Sequence, residues 1–217
     1  MALKIDVISD VVCPWCYIGK RRLSRALELY REQNPLAPAP VVRWHPFQLN
    51  PDLPEEGVDR DEYLRRKFGG RADEIYAQVT EVGKSVGIVF AFNAVPRQPQ
   101  TLAAHSLIQM SAESGDQDSL VEALFKAYFV DGRDLTSREE LVAIASSVGL
   151  AAARIEACLA DGEERERVRN ADARARQMGV QGVPFFVFNQ RYAVSGAQEP
   201  MVLLDAMHRA EEEAKSA

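Results

Sequence analysis

Two cysteines separated by two residues, Cys13-Pro14-Trp15-Cys16, are the side chains best suited to chemistry in this sequence. In the first turn of a helix, positions three apart share one side, so their sulfurs can close and reopen a disulfide. Pro14 fits the first helical turn, where its missing N–H costs nothing, and this puts Cys13 at the helix N-terminus. Free backbone N–H groups and the positive end of the helix dipole favour an anion there, so Cys13 is expected to be a thiolate nucleophile near neutral pH. Cys16, one turn further in, is expected to be less exposed and to resolve the mixed disulfide that Cys13 forms with a substrate.

The other candidates carry weaker signals. C-x-x-C is also half of a zinc site, but the other half requires a second Cys/His pair at short spacing. Cys158 is isolated and His45, His105 and His208 are scattered singly, so no metal is expected. Cys158 falls in the helical pattern Ile155-Glu156-Ala157-Cys158-Leu159, where a free thiol behaves as a small buried hydrophobe. Val183-Pro184 enters an apolar strand, and the sequence alone leaves its isomer open, a trans proline that starts a strand being the plainer reading. His105 lies in the helical segment Gln100-Thr101-Leu102-Ala103-Ala104-His105 and is read first as a structural hydrogen-bonding group, with a place in a substrate cleft as the second reading. Trp44, His45 and Phe47 are read as core and edge residues of a strand.

These residues need elements to position them. Residues 3–9 alternate as a strand, and the helix that starts at Pro14 carries Ile18, Leu23, Leu27 and Tyr30 until Asn34-Pro35 stops it. Residues 41–47 read as a second strand, giving β-α-β. From about Asp59 to Met178 the pattern is helical, near 59–68, 72–86, 100–113, 117–130, 137–148, 151–160 and 163–178. Thr136 and Ser137 ahead of Glu139 and Glu140 suggest a reciprocal capping box. After Gly182 the period returns to two. Strands 184–188 and 191–195 form a hairpin about Asn189-Gln190, and a last helix runs from about 199 to 214. The fold class is therefore α/β, a thioredoxin-like sheet over 1–58 and 179–217 interrupted by an all-helical insertion over 59–178.

The composition sets the outer bounds. The chain has 217 residues, 47% hydrophobic and 27% charged, enough for a sizeable core. With 26 Lys+Arg against 32 Asp+Glu the net charge is −6, which offers phosphates no attraction, and nucleic acid is not an expected partner. No apolar run is long enough to span a bilayer and the first residues lack the order of a signal peptide, so no membrane association and a cytoplasmic location are expected. In that reducing compartment structural disulfides are disfavoured and catalytic ones remain possible. The oligomeric state is not legible.

Val12-Cys-Pro-Trp-Cys-Tyr17, the segment Tyr128-Phe129…Gly132-Arg133-Asp134, and Gly182-Val-Pro-Phe-Phe-Val-Phe188…Tyr192-Ala-Val-Ser-Gly-Ala-Gln198 together resemble the FrnE-type branch of the DsbA-like thiol oxidoreductases over nearly the whole chain. The resemblance implies a thioredoxin fold with a helical insertion, catalytic Cys13 and Cys16, and a cis-proline loop at Val183 and Pro184 beside them. Pro14, Trp15, Val183, Pro184 and His105 would then contact a thiol- or disulfide-containing protein or small molecule, with no cofactor beyond glutathione as a co-substrate. The same superfamily includes 2-hydroxychromene-2-carboxylate isomerases and kappa-class glutathione transferases. A glutathione-dependent isomerase or transferase is accordingly the second reading, although such isomerases typically have Ser at the first cysteine position. A non-catalytic redox-sensing binding module is the third. Two positions depart from better-known relatives: DsbA has His where this chain has Trp15, and the buried Asp that thioredoxin places six residues before its first cysteine is Val7 here.

Overall fold

A computed structural model describes residues 2–114 and 116–215. Strand β1 (Lys4–Ser9) leads into helix α1 (Pro14–Gln33), which returns the chain to β2 (Val41–Pro46). β1 and β2 are parallel, and β5 (Phe185–Phe188) and β6 (Tyr192–Ser195) complete a four-stranded sheet of order β2-β1-β5-β6, with β5 antiparallel to both of its neighbours. Ile5 and Val7 of β1, with Phe186 and Phe188 of β5, bury one face of the sheet beneath α1 and the last helix, α9 (Pro200–Lys215).

α1 starts as its residues require. Cys13 is the N-cap in extended conformation with no side-chain capping bond, and Pro14 is the first helical residue. Asn34 ends the helix, its side-chain amide donating to the Tyr30 carbonyl. At the hairpin, Asn189 and Gln190 have φ of 49° and 58°, the sign a type I′ turn requires, and the Arg191 N–H donates to the Phe188 carbonyl. Phe188 pairs with Tyr192, so Arg191 stands outside the ladder and β6 begins one residue later than the sequence suggests.

Between β2 and β5 run α2 (Arg60–Phe68), α3 (Ala72–Ser85), α4 (Leu102–Ser111), α5 (Gln117–Phe129), α6 (Arg138–Ser147), α7 (Ala152–Ala160) and α8 (Gly162–Gln177). The periodicity locates each of these helices. Two very short strands, β3 (Val58–Asp59) and β4 (Arg97–Gln98), pair antiparallel in a separate ribbon that periodicity could not announce, since two residues show no period. α4, α5 and α8 pack on β2; the buried residues of α4 and α5 join Ile5 and Val7 of β1 and those of α1 in one cluster, while Ala175 of α8 packs with Ile8, Phe47 and Val180 in a second. The capping box at α6 is half formed. Ser137 Oγ accepts from the Glu140 N–H at 3.2 Å, but the Glu140 carboxylate turns to Arg133 instead of returning to the Ser137 N–H. No helix among the described residues is long and apolar enough to cross a membrane.

Candidate active site

Both cysteines of the pair are free thiols in the first turn of α1, Cys13 as its N-cap and Cys16 behind it. Cys13 is 5% exposed and Cys16 is 1% exposed, the expected order, although Cys13 is more enclosed than a bare helix end would be. Cys13 is reached through a cavity of about 200 Å³ lined also by Pro14, Trp15, Arg60, Tyr63 and Tyr76. Burial pushes the Cys16 thiol well above the ordinary range, and the neighbouring Cys13 sulfur adds to the rise; the Ser9 hydroxyl and the Asp10 backbone N–H oppose it. Cys16 is therefore held as a protonated thiol.

The Val183–Pro184 bond is cis. The Val183 carbonyl lies at the Cys13 sulfur, whose thiol donates to it at 3.6 Å across 170 residues of sequence. The pyrrolidine ring rests on α1 where Gly19 has no side chain: a Cβ at that position would lie 2.9 Å from Pro184 Cγ and 3.2 Å from the Phe186 ring. Gly19 thus lets the loop that carries Pro184 close on the helix that carries the cysteines. Sequence reading overlooked it, because a glycine inside a helical pattern carries no mark of what packs against it.

The structure brings Cys13, Pro14, Trp15, Val183 and Pro184 together and places His105 elsewhere. His105 is 3% exposed on α4, its Nε2 lies 3.3 Å from Asp10 Oδ1, and it is absent from the wall of the Cys13 cavity. Asp10 is fully buried and accepts the Leu49 N–H at 2.7 Å on its other oxygen. The Asp10 carbonyl also accepts the Cys13 N–H at 3.0 Å, so one residue ties the turn before the cysteines to both α4 and the segment after β2. Asp10 thus holds that turn through its side chain as well as its backbone.

Further along α1 the site is anchored to α5. Tyr17 stacks on Phe125 with ring centroids 5.0 Å apart and donates from its hydroxyl to Glu122 at 2.8 Å. Burial, with that carboxylate, pushes the Tyr17 hydroxyl up to about 12. Cys158 lies apart, buried in α7, its thiol raised to about 11 by burial and by Glu164 and Asp161. Trp44 and Phe47 are buried core residues, and His45 pairs with Asp6 at 2.7 Å, which with burial opposing holds the Asp6 carboxyl below its usual value. No group of three or more His, Cys, Asp or Glu side chains that could hold a metal ion occurs among the described residues.

A model of the DSBA-like thioredoxin domain matches residues 4–208. The crystal structure of a probable DsbA oxidoreductase from Streptomyces coelicolor superposes with a TM-score of 0.86 at 30% identity, covering 97% of this chain and 91% of that one. A 2-hydroxychromene-2-carboxylate isomerase shares the fold at a TM-score of 0.68 and 17% identity, with 99% of each chain covered. The Bacillus subtilis protein YwbO is 23% identical over 188 residues, 86% of this chain and 87% of that protein.

Proposed function

The chain belongs to the family of the DSBA-like thioredoxin domain, and on that footing we propose that it exchanges thiols and disulfides through Cys13 and Cys16. One observation carries the reading: Cys13 opens onto a cavity of about 200 Å³ and has the Val183 carbonyl at its sulfur, while Cys16 waits behind it as a buried thiol.

In the reducing direction the Cys13 thiolate attacks one sulfur of a substrate disulfide, forms the Cys13–substrate bond and expels the other half as thiolate. Cys16 then attacks the Cys13 sulfur as its proton passes to the departing substrate sulfur, forming the internal disulfide and releasing the second half of the substrate as a thiol. The substrate gains the two electrons that the dithiol loses. A low-molecular-weight thiol such as glutathione returns the pair to the dithiol as a co-substrate, and no bound cofactor enters the scheme. Run backwards, the same steps oxidise a substrate dithiol. The side chains of Pro14 and Trp15 form the wall that a bound thiol or disulfide meets, and the Val183 backbone borders the approach to Cys13.

Replacing one cysteine at a time tests this. After incubation with oxidised glutathione, Cys16→Ser should accumulate a glutathione adduct on Cys13, and Cys13→Ser should accumulate none at Cys16, as read by intact mass. An adduct on Cys16 in the Cys13→Ser protein reverses the roles, and absence of adducts with unchanged dithiol turnover removes the enzyme reading.

A further inference from the structure

Arg60 lies within 6.0 Å of the ring centres of Tyr63, Tyr76 and Tyr128 and is paired with no carboxylate among the described residues. It is 4% exposed and stands at the start of α2. Its guanidinium donates to neutral oxygens: to Gln98 Oε1, to the Tyr76 hydroxyl at 2.7 Å and to the Tyr128 hydroxyl at 3.3 Å. Its Nε is buried with no acceptor among the described residues. The other buried charged side chains are treated differently. Lys20 meets Asp118 at 2.9 Å and Glu122 at 3.3 Å, Glu164 meets Arg167 at 2.6 Å, and Asp172 meets Arg176 at 3.0 Å. Asp10 has the Leu49 N–H and His105.

A buried charge without a counter-charge is costly, and stability alone would favour an apolar residue or a paired one. Arg60 sits where an outside partner can supply the missing charge, because it lines the Cys13 cavity. A second cation, Lys67, lines the same cavity, its ammonium donating to the Tyr63 hydroxyl at 2.6 Å, and no acidic side chain is on that wall. The positive character is local, since the chain as a whole has a net charge of −6. A guanidinium fork is the side chain whose donors match a carboxylate two at a time.

Resting on the thiol–disulfide reading, we propose that Arg60, with Lys67, holds a carboxylate of a low-molecular-weight thiol or disulfide while its sulfur meets Cys13. The cavity's volume of about 200 Å³ and the depth of Arg60 select a small acidic molecule over a folded protein chain. Trp15 and Tyr63 offer the molecule's carbon skeleton an apolar bed beside these cations.

S-methylglutathione, which has two carboxylates and no free thiol, is the probe, with its diethyl ester, which keeps the ammonium and loses both carboxylate charges, as the control; both are titrated calorimetrically into the reduced protein. The acid should bind about tenfold tighter than the ester, about 1.4 kcal/mol. That preference should vanish in Arg60→Met, return in part in Arg60→Lys, and shrink in Lys67→Gln. In turnover, the ratio of kcat/KM for oxidised glutathione to that for 2-hydroxyethyl disulfide should fall about tenfold in Arg60→Met. Equal binding of acid and ester by the unaltered protein overturns the proposal. So does an unchanged ratio with both rates lowered alike and slower alkylation of Cys13, which would make Arg60 a partner of the Cys13 sulfur instead. If Arg60→Met does not fold, the acid–ester comparison and Lys67→Gln decide. Absence of exchange with either disulfide, with the acid still preferred through Arg60, would leave the subsite standing and remove the redox role.

Discussion

At the scale of single residues, the two sulfurs differ more through their surroundings than through their spacing. Cys16 is sealed behind the turn and kept protonated by burial, whereas Cys13 faces the cavity. With limiting iodoacetamide at pH about 7 we expect Cys13 to be modified first, with Cys16 and Cys158 following only in denaturant, because the thiolate is the reactive form; peptide mapping over time reads this, and comparable early labelling of Cys16 would contradict it. The redox pair was legible in sequence because its spacing is local. Asp10 was not, because what makes it matter, His105 and the Leu49 N–H, arrives from elements 95 and 39 residues away. Removing that carboxylate leaves a buried donor and a buried imidazole without their partner. Asp10→Ala should therefore lower the free energy of unfolding by roughly 3–5 kcal/mol in urea titrations, while a loss under about 1 kcal/mol would mean that the contact is incidental.

At the scale of elements, the helical periods located seven helices between β2 and β5 within a few residues, and alternation located the strands that carry the site. Periodicity reports which face is buried, and it says nothing about what presses on that face. Gly19 shows the difference. In an exposed helix interior, alanine in place of glycine stabilises by up to about 1 kcal/mol. Here the new methyl would stand 2.9 Å from Pro184 Cγ and 3.2 Å from the Phe186 ring, both rigid groups, and relieving that overlap requires the proline loop to retreat from α1. Overpacking of this kind costs typically 1–3 kcal/mol, so the balance turns against alanine. Gly19→Ala should lower stability by about 1 kcal/mol and reduce dithiol turnover, because the Val183 carbonyl moves with the loop. A variant that is more stable and fully active would show that the loop can shift without consequence for Cys13. The half-formed capping box at α6 has a related cause: Arg133 lies seven residues before Glu140 and competes for its carboxylate.

At the scale of the whole molecule, the thiols and phenols that the fold buries make it sensitive to alkali in a direction that can be worked out. The Cys16 thiol is raised well above the ordinary range, Cys158 to about 11 and Tyr17 to about 12, each chiefly by burial. A raised acid holds its proton in the folded state at a pH where the unfolded chain has released it. Its contribution is complete below the unfolded value, about 8.5 for a thiol, and is lost as the pH climbs from there toward the folded value. The reduced protein should therefore keep its urea midpoint between about pH 7 and 8 and lose it steadily toward about pH 10.5. Cys158→Ala should flatten part of that decline, whatever it does to the midpoint at neutral pH. Closing the Cys13–Cys16 disulfide removes the Cys16 thiol from the titration altogether, so the oxidised protein should fall less steeply than the reduced one over the same range. By linkage the disulfide form gains on the dithiol as pH rises, and equilibration with a redox buffer of fixed potential at about pH 8 and 10 reads the same quantity independently. Parallel declines for the oxidised and reduced proteins would mean that Cys16 reaches solvent in the folded state, and the assignment of Cys16 as the sealed, resolving thiol would fall with it.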